Sequence, residues 1–176
     1  MSPRVLLALL AAGALGAATA PTAATAAGEP PGEFVAARAP SAWATVNVCD
    51  TAGSPDGIGL RGAMSGTGDR HDTLFMRLRV QFQRGDGTWQ SIRRGGDSGF
   101  LELGRGDARV RQAGRTFTVT PPPAGRPAYV LRGLVTFEWR RGDQVVRRLR
   151  RATQAGHGDT LGADPDGYSA ATCSIR

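Results

Sequence analysis

Ser98 stands in the run Gly96-Asp97-Ser98-Gly99, and His71 lies upstream of it. A serine hydroxyl beside an imidazole is the pairing that nucleophilic acyl transfer requires. The base takes the hydroxyl proton, and glycine amides close by hold the oxyanion. A second set of residues is acidic: Asp50, Asp56, Asp159, Asp164 and Asp166 flank the two cysteines, Cys49 and Cys173. Carboxylates gathered from loops are the ligand type for calcium. The third set is cationic. All 22 cationic residues are arginine, and the net charge is +7. Guanidinium groups recognise carboxylate, sulfate and phosphate by paired hydrogen bonds.

The serine run resembles the nucleophile motif of trypsin-like serine proteases, which would make Ser98 the nucleophile and His71 its base. Its surroundings depart from that family. Phe100 stands where the family has a further glycine, and His71 precedes Asp72 instead of sitting in an Ala-Ala-His-Cys setting. About 26 residues separate the two groups, too few for a two-barrel protease. A Gly-rich loop with a polar tip is the competing reading, and a small serine hydrolase is kept as the enzymatic alternative. Asp164-Pro-Asp-Gly167 is similar to the opening of a calcium loop but lacks the remaining ligands and the closing glutamate, so these aspartates read as turn residues. The integrin-type tripeptide Arg-Gly-Asp occurs at Arg84, Arg105 and Arg141. Gly-Asp also recurs at Gly68, Gly96 and Gly158, so it reads as general turn chemistry. No zinc-ligand spacing surrounds the cysteines, and neither a metal nor a cofactor is expected.

The elements that must position these groups are strands. Tyr129 to Arg140 alternates strictly, with Tyr129, Leu131, Gly133, Val135, Phe137 and Trp139 on the core side. Leu74 to Gln83 repeats the pattern with Leu74, Met76, Leu78, Val80 and Phe82 inward. Trp43–Cys49, Ile58–Met64, Thr88–Ile92, Phe100–Leu103, Val110 with Thr116–Thr120, and Tyr168–Ile175 read as shorter strands. Gly, Asp and Pro clusters separate them, and Arg93 to Gly99 and Gln154 to Gly167 read as loops. At residues 144–153, Val145, Val146, Leu149 and Ala152 also fit a helical stripe. The turn Arg141-Gly-Asp143 before them favours a strand.

About seven to eight short strands without a convincing helix predict an all-β antiparallel sandwich. The arrangement over Trp43 to Arg176 resembles an immunoglobulin-like or fibronectin type III-like domain, with Leu74–Gln83 as strand C and Tyr129–Arg140 as strand F. That resemblance puts Tyr129 where such folds carry a corner tyrosine. The two cysteines, 124 positions apart, are too far separated for the usual disulfide of antibody domains. Here a Cys49–Cys173 bridge would tie the first strand to an extra C-terminal one.

The same layout makes strands C, F and G neighbours. One outer face would then carry Arg77, Arg79, Arg132, Arg140, Arg148 and Arg150, balanced by Glu138, with Phe75 as its one evident aromatic. Such a face suits an acidic glycan, a cell-wall polymer or nucleic acid, or it is a solvated surface that blunts edge pairing. The expectation is a non-enzymatic module, structural or ligand-binding, whose partner is an acidic polymer or another extracellular protein.

Its address is read from the start of the chain. Arg4, an uncharged run of about 14 residues and Ala-rich cleavage sites predict a signal peptide over residues 1–27; the run falls short of the roughly 20 needed to span a bilayer. A Pro/Gly-rich linker over 28–41 and one domain over 42–176 follow. The absence of lysine, the 25 glycines and the many alanines point to a GC-rich, bacterial source. The mature protein is expected outside the cell, without membrane insertion.

Overall fold

The computed structural model describes residues 41–176; the predicted signal peptide and all of the predicted linker but Ser41 lie outside the described residues. Nine strands form, and no helix occurs among the described residues: β1 (Ala42–Thr51), β2 (Ser54–Ser65), β3 (Asp72–Gln83), β4 (Trp89–Ser91), β5 (Asp97–Arg105), β6 (Val110–Thr118), β7 (Tyr129–Arg141), β8 (Gln144–Ala152) and β9 (Cys173–Ile175). They build two antiparallel sheets. The smaller has the order β1-β2-β6, and the larger has the order β4-β3-β7-β8, with β5 also on β3 and β9 also on β7.

The alternating runs place the core. Ile58, Leu60 and Met64 of one sheet face Leu74, Met76, Leu78, Val135, Phe137 and Trp139 of the other, all buried. Each such side chain contributes roughly 1.5–3 kcal/mol by leaving water. Trp139 keeps its polar edge satisfied by donating from Nε1 to the Ser65 carbonyl at 2.8 Å. Tyr129 departs from the predicted core side of its strand: it begins β7 at the rim and is 38% exposed.

β3 and β7 pair without a break from Asp72↔Arg141 to Phe82↔Leu131. The outer edge of each is shared by two shorter strands. On β3, β4 takes residues 81–83 and β5 takes 73–79; on β7, β8 takes 134–141 and β9 takes 129–131. β8 is a strand because the turn before it closes a hairpin. Gly142 and Asp143 link the pair Arg141↔Gln144, and Gly142 has φ +56 at the first central position, the type II′ arrangement.

Two readings of the sequence give way here. The segment read as a flexible loop up to Gly99 already belongs to β5 from Asp97. The predicted last strand from Tyr168 contracts to Cys173–Ile175. The reason is a crossing. After β8 the chain leaves the larger sheet and straps the outer face of the smaller one. Gln154 N–H donates to the Ala44 carbonyl, Asp164 N–H to that of Asn47, and Val46 and Ala170 exchange both backbone bonds. Asn47 Nδ2 donates to the Leu161 and Gly162 carbonyls, Gln112 on β6 bonds the backbone of Asp159 and Leu161, and Trp43 stacks on His157 with ring centroids 4.4 Å apart. The Cys49–Cys173 disulfide fastens the strap where it returns to the larger sheet.

Candidate functional site

The outer face of β3, β7 and β8 carries the six predicted arginines, because strict pairing keeps alternate residues on one side. Arg77 lies opposite Thr136, which lies opposite Arg150; Glu138 sits between Phe75 and Arg148 in the same way. The arginines do not act as one cluster. Arg77, Arg79, Arg148 and Arg150 line a notch of about 170 Å3 together with Thr136, Glu138 and Phe100. Thr136, only 4% exposed, forms part of its floor. Arg132 stands four residues away along β7, roughly 13 Å.

Most of the positive charge is already engaged. Arg77 grips both oxygens of Asp97, from Nε at 2.9 Å and Nη2 at 2.5 Å. This pairing raises the Arg77 pKa and holds the Asp97 carboxyl below the usual carboxylate range. Glu138, 1% exposed, accepts from Arg148 Nε on one oxygen and from Arg140 on the other, each at 2.6 Å at closest approach. Arg132 donates to Gln81 Oε1 at 2.9 Å and lies 4.1 Å over the Trp89 ring; burial there lowers its pKa. Arg140 stacks between Phe75 at 4.2 Å and Phe100 at 4.5 Å.

Three of the six arginines have no carboxylate partner among the described residues, Arg79, Arg132 and Arg150, and of these Arg132 is held by Gln81 and Trp89. Asp97 is the residue opposite Arg79, but its carboxylate pairs with Arg77. Arg79 Nε is enclosed without an acceptor.

The face therefore differs from the sequence reading in two respects. Glu138 is not its only counter-charge, since Asp97 and the exposed Glu102 on β5 also border it. Phe75 is not its only aromatic, since Phe100 and Trp89 join it. All of these additions come from β4 and β5. Their attachment to the edge of β3 carries no local signature, because Asp97 sits in a Gly-rich run and Phe100 begins a stretch too short to orient.

The other candidate groups are dispersed. Ser98 lies opposite the middle of β3, where its hydroxyl accepts from Leu78 N–H at 2.9 Å and donates to the Gly99 carbonyl at 2.7 Å. His71 precedes β3, seven residues earlier and roughly 23 Å away along an extended strand. The two are not brought together. The aspartates near the disulfide serve turns and the strap: Asp50 Oδ1 accepts from Asp56 N–H, and Asp164 accepts from the Thr51 hydroxyl. Among the described residues, no group of three or more metal-ligating side chains forms. All three Arg-Gly-Asp tripeptides fall at turns, but Asp86 is tied to Thr88 and Arg141 to Asp69 and Asp72.

No family model matches the chain, and no curated protein matches it. Among the described residues, no helix is long and apolar enough to cross a membrane.

Proposed function

We propose that this protein is an exported, non-enzymatic module of immunoglobulin-like layout that binds an acidic polymer outside the cell through the outer face of β3, β7 and β8. The observation that carries the reading is the unequal charge of that face. Six arginines meet three carboxylates, Asp97, Glu138 and Glu102, on neighbouring strands. A flat face with an unspent surplus of fixed charge attracts a polyanion over a distance set by the salt concentration. Three further features support it. The strand order β1-β2-β6 over β4-β3-β7-β8 corresponds to A-B-E over C′-C-F-G of the immunoglobulin-like layout. The disulfide suits an oxidising compartment. The separation of Ser98 from His71 leaves the hydrolase reading without its base.

The test is binding of the purified domain to a sulfated glycan, a carboxylated glycan, a phosphate-bearing polymer and DNA over a salt series. Binding that weakens with salt, at a log–log slope of roughly −2 to −3 for DNA, is expected. It should vanish when Arg79 and Arg150 are both changed to Glu and persist in Arg126→Glu, on the exposed β6–β7 loop. Retention by none of the polymers at low salt leaves the face as a solvated surface that discourages edge pairing.

A further inference from the structure

Resting on that reading, we infer that the notch over Thr136 is a subsite for one tetrahedral oxyanion, a sulfate or phosphate group carried on the polymer, held between Arg79 of β3 and Arg150 of β8. Charge is the first argument. Four arginines and Glu138 line the notch, and Asp97 binds Arg77 at its edge. Glu138 is saturated by Arg140 and Arg148. The two guanidinium groups left over are Arg79 and Arg150, on the two strands that flank β7: Arg150 lies opposite Thr136, and Arg79 lies opposite Leu134, the next outward residue of β7.

Satisfaction of polar groups is the second argument. Arg79 is partly buried and has an enclosed Nε with no acceptor, a hydrogen bond left unmade that an oxyanion in the notch would supply. Shape is the third. The notch, about 170 Å3 and open to solvent on its outer side, has room for a single oxyanion against its Thr136 floor. Each aromatic ring on this face already has an arginine over it, Arg132 over Trp89 and Arg140 over Phe75 and Phe100, and Phe100, 38% exposed, forms an apolar wall of the notch. The polar groups of the notch supply charge and hydrogen bonding. Arg77 and Arg148, clamped by their own carboxylates, act as fixed walls.

The experiment is an NMR titration of the isotope-labelled domain with inorganic sulfate and inorganic phosphate, reading the Thr136 amide and the Arg79 and Arg150 Nε–H signals. Saturable shifts at these positions are expected, weakened roughly tenfold or more in Arg79→Gln and in Arg150→Gln and unchanged in Arg132→Gln. Unshifted amides of β1 and β2 in each variant show that it has folded.

The same variants are then compared on a sulfated glycan, a glycerol-phosphate polymer and a polyuronate. A preference between the first two assigns the source of the oxyanion. Equal, Arg79-dependent binding of the polyuronate overturns the preference for a tetrahedral group. Polymer binding that Arg79→Gln and Arg150→Gln weaken no more than Arg132→Gln overturns the subsite and leaves the binding face standing. Saturable ion binding without polymer binding does the reverse. Neither kind of binding removes both.

Discussion

Arg77 and Asp97 form a two-pronged ion pair across the β3–β5 edge, Nε to Oδ1 at 2.9 Å and Nη2 to Oδ2 at 2.5 Å. Asp97 Oδ1 also accepts from Gly99 N–H at 3.0 Å, so one carboxylate both opens β5 and fixes an arginine of the basic face. Its folded-state pKa is depressed, first by the Arg77 hydrogen bonds. A depressed carboxyl stabilises the fold above its unfolded pKa, about 3.9, and loses that contribution as pH falls through the lower folded value. Urea midpoints should therefore drop in the wild type as pH is lowered below about 4. Asp97→Asn should start lower at neutral pH, by less than about 1 kcal/mol because the pair is partly exposed, and be flatter across the same window. Parallel curves for the two proteins would refute this role for the pair.

The same substitution releases Arg77 onto the notch. Asp97→Asn should bind the phosphate-bearing polymer several-fold more tightly at low salt, and the salt slope should steepen by about one. Binding measured beside the wild type over one salt series decides it. Weaker binding would mean that Arg77 is useful only when held in place.

Gly133 lies in the middle of β7, on its core side, where the sequence pattern calls for a large residue. A Cβ there would come within 2.8 Å of Leu60 Cδ2 from the facing sheet and 2.7 Å of Thr153 Cγ2. Thr153 also replaces a strand partner at this point: its N–H donates to the Gly133 carbonyl, and its hydroxyl accepts from Gly133 N–H and donates to the Ala171 carbonyl. Gly133→Ala should destabilise by about 1–3 kcal/mol through overpacking. Leu60→Val, which shortens the opposing side chain, should restore part of that loss in a double-mutant cycle. Full additivity would count against a direct clash.

The pattern in β3 and β7 made the larger sheet legible, because each has one face buried and a one-residue slip would invert every side chain. β1 shows where such reading stops. Thr45 and Asn47 alternate with Ala44, Val46 and Val48 as polar, outward residues should, yet they are 0% and 3% exposed. The strap that covers them comes from a Gly/Asp-rich stretch with no periodicity, and its contacts are mostly backbone carbonyls, which no side-chain pattern encodes. The candidate site was legible to the same extent. Its arginines and Glu138 follow from period-2 alternation, whereas Asp97, which engages Arg77 and leaves Arg79 free, sits on β5 and depends on register across an edge.

The disulfide decides how firmly that strap is held. The strap begins at Thr153, bonded to Gly133, and ends at Cys173, bridged to Cys49 on β1 over a sequence separation of 124. Between these points it rests on β1 through hydrogen bonds, without a strand ladder of its own. Closing a loop of this length stabilises the fold by about 4–5 kcal/mol as an upper figure, since the unfolded chain loses freedom. Replacing both cysteines by serine should lower the unfolding free energy towards that amount. Amide exchange should accelerate first at Ala170 and Asp164, which bond to β1, and later at the paired residues of β3 and β7. Uniform acceleration would mean that the bridge acts on the unfolded chain alone. Early opening of the strap would assign it a second role, keeping the outer face of the smaller sheet covered.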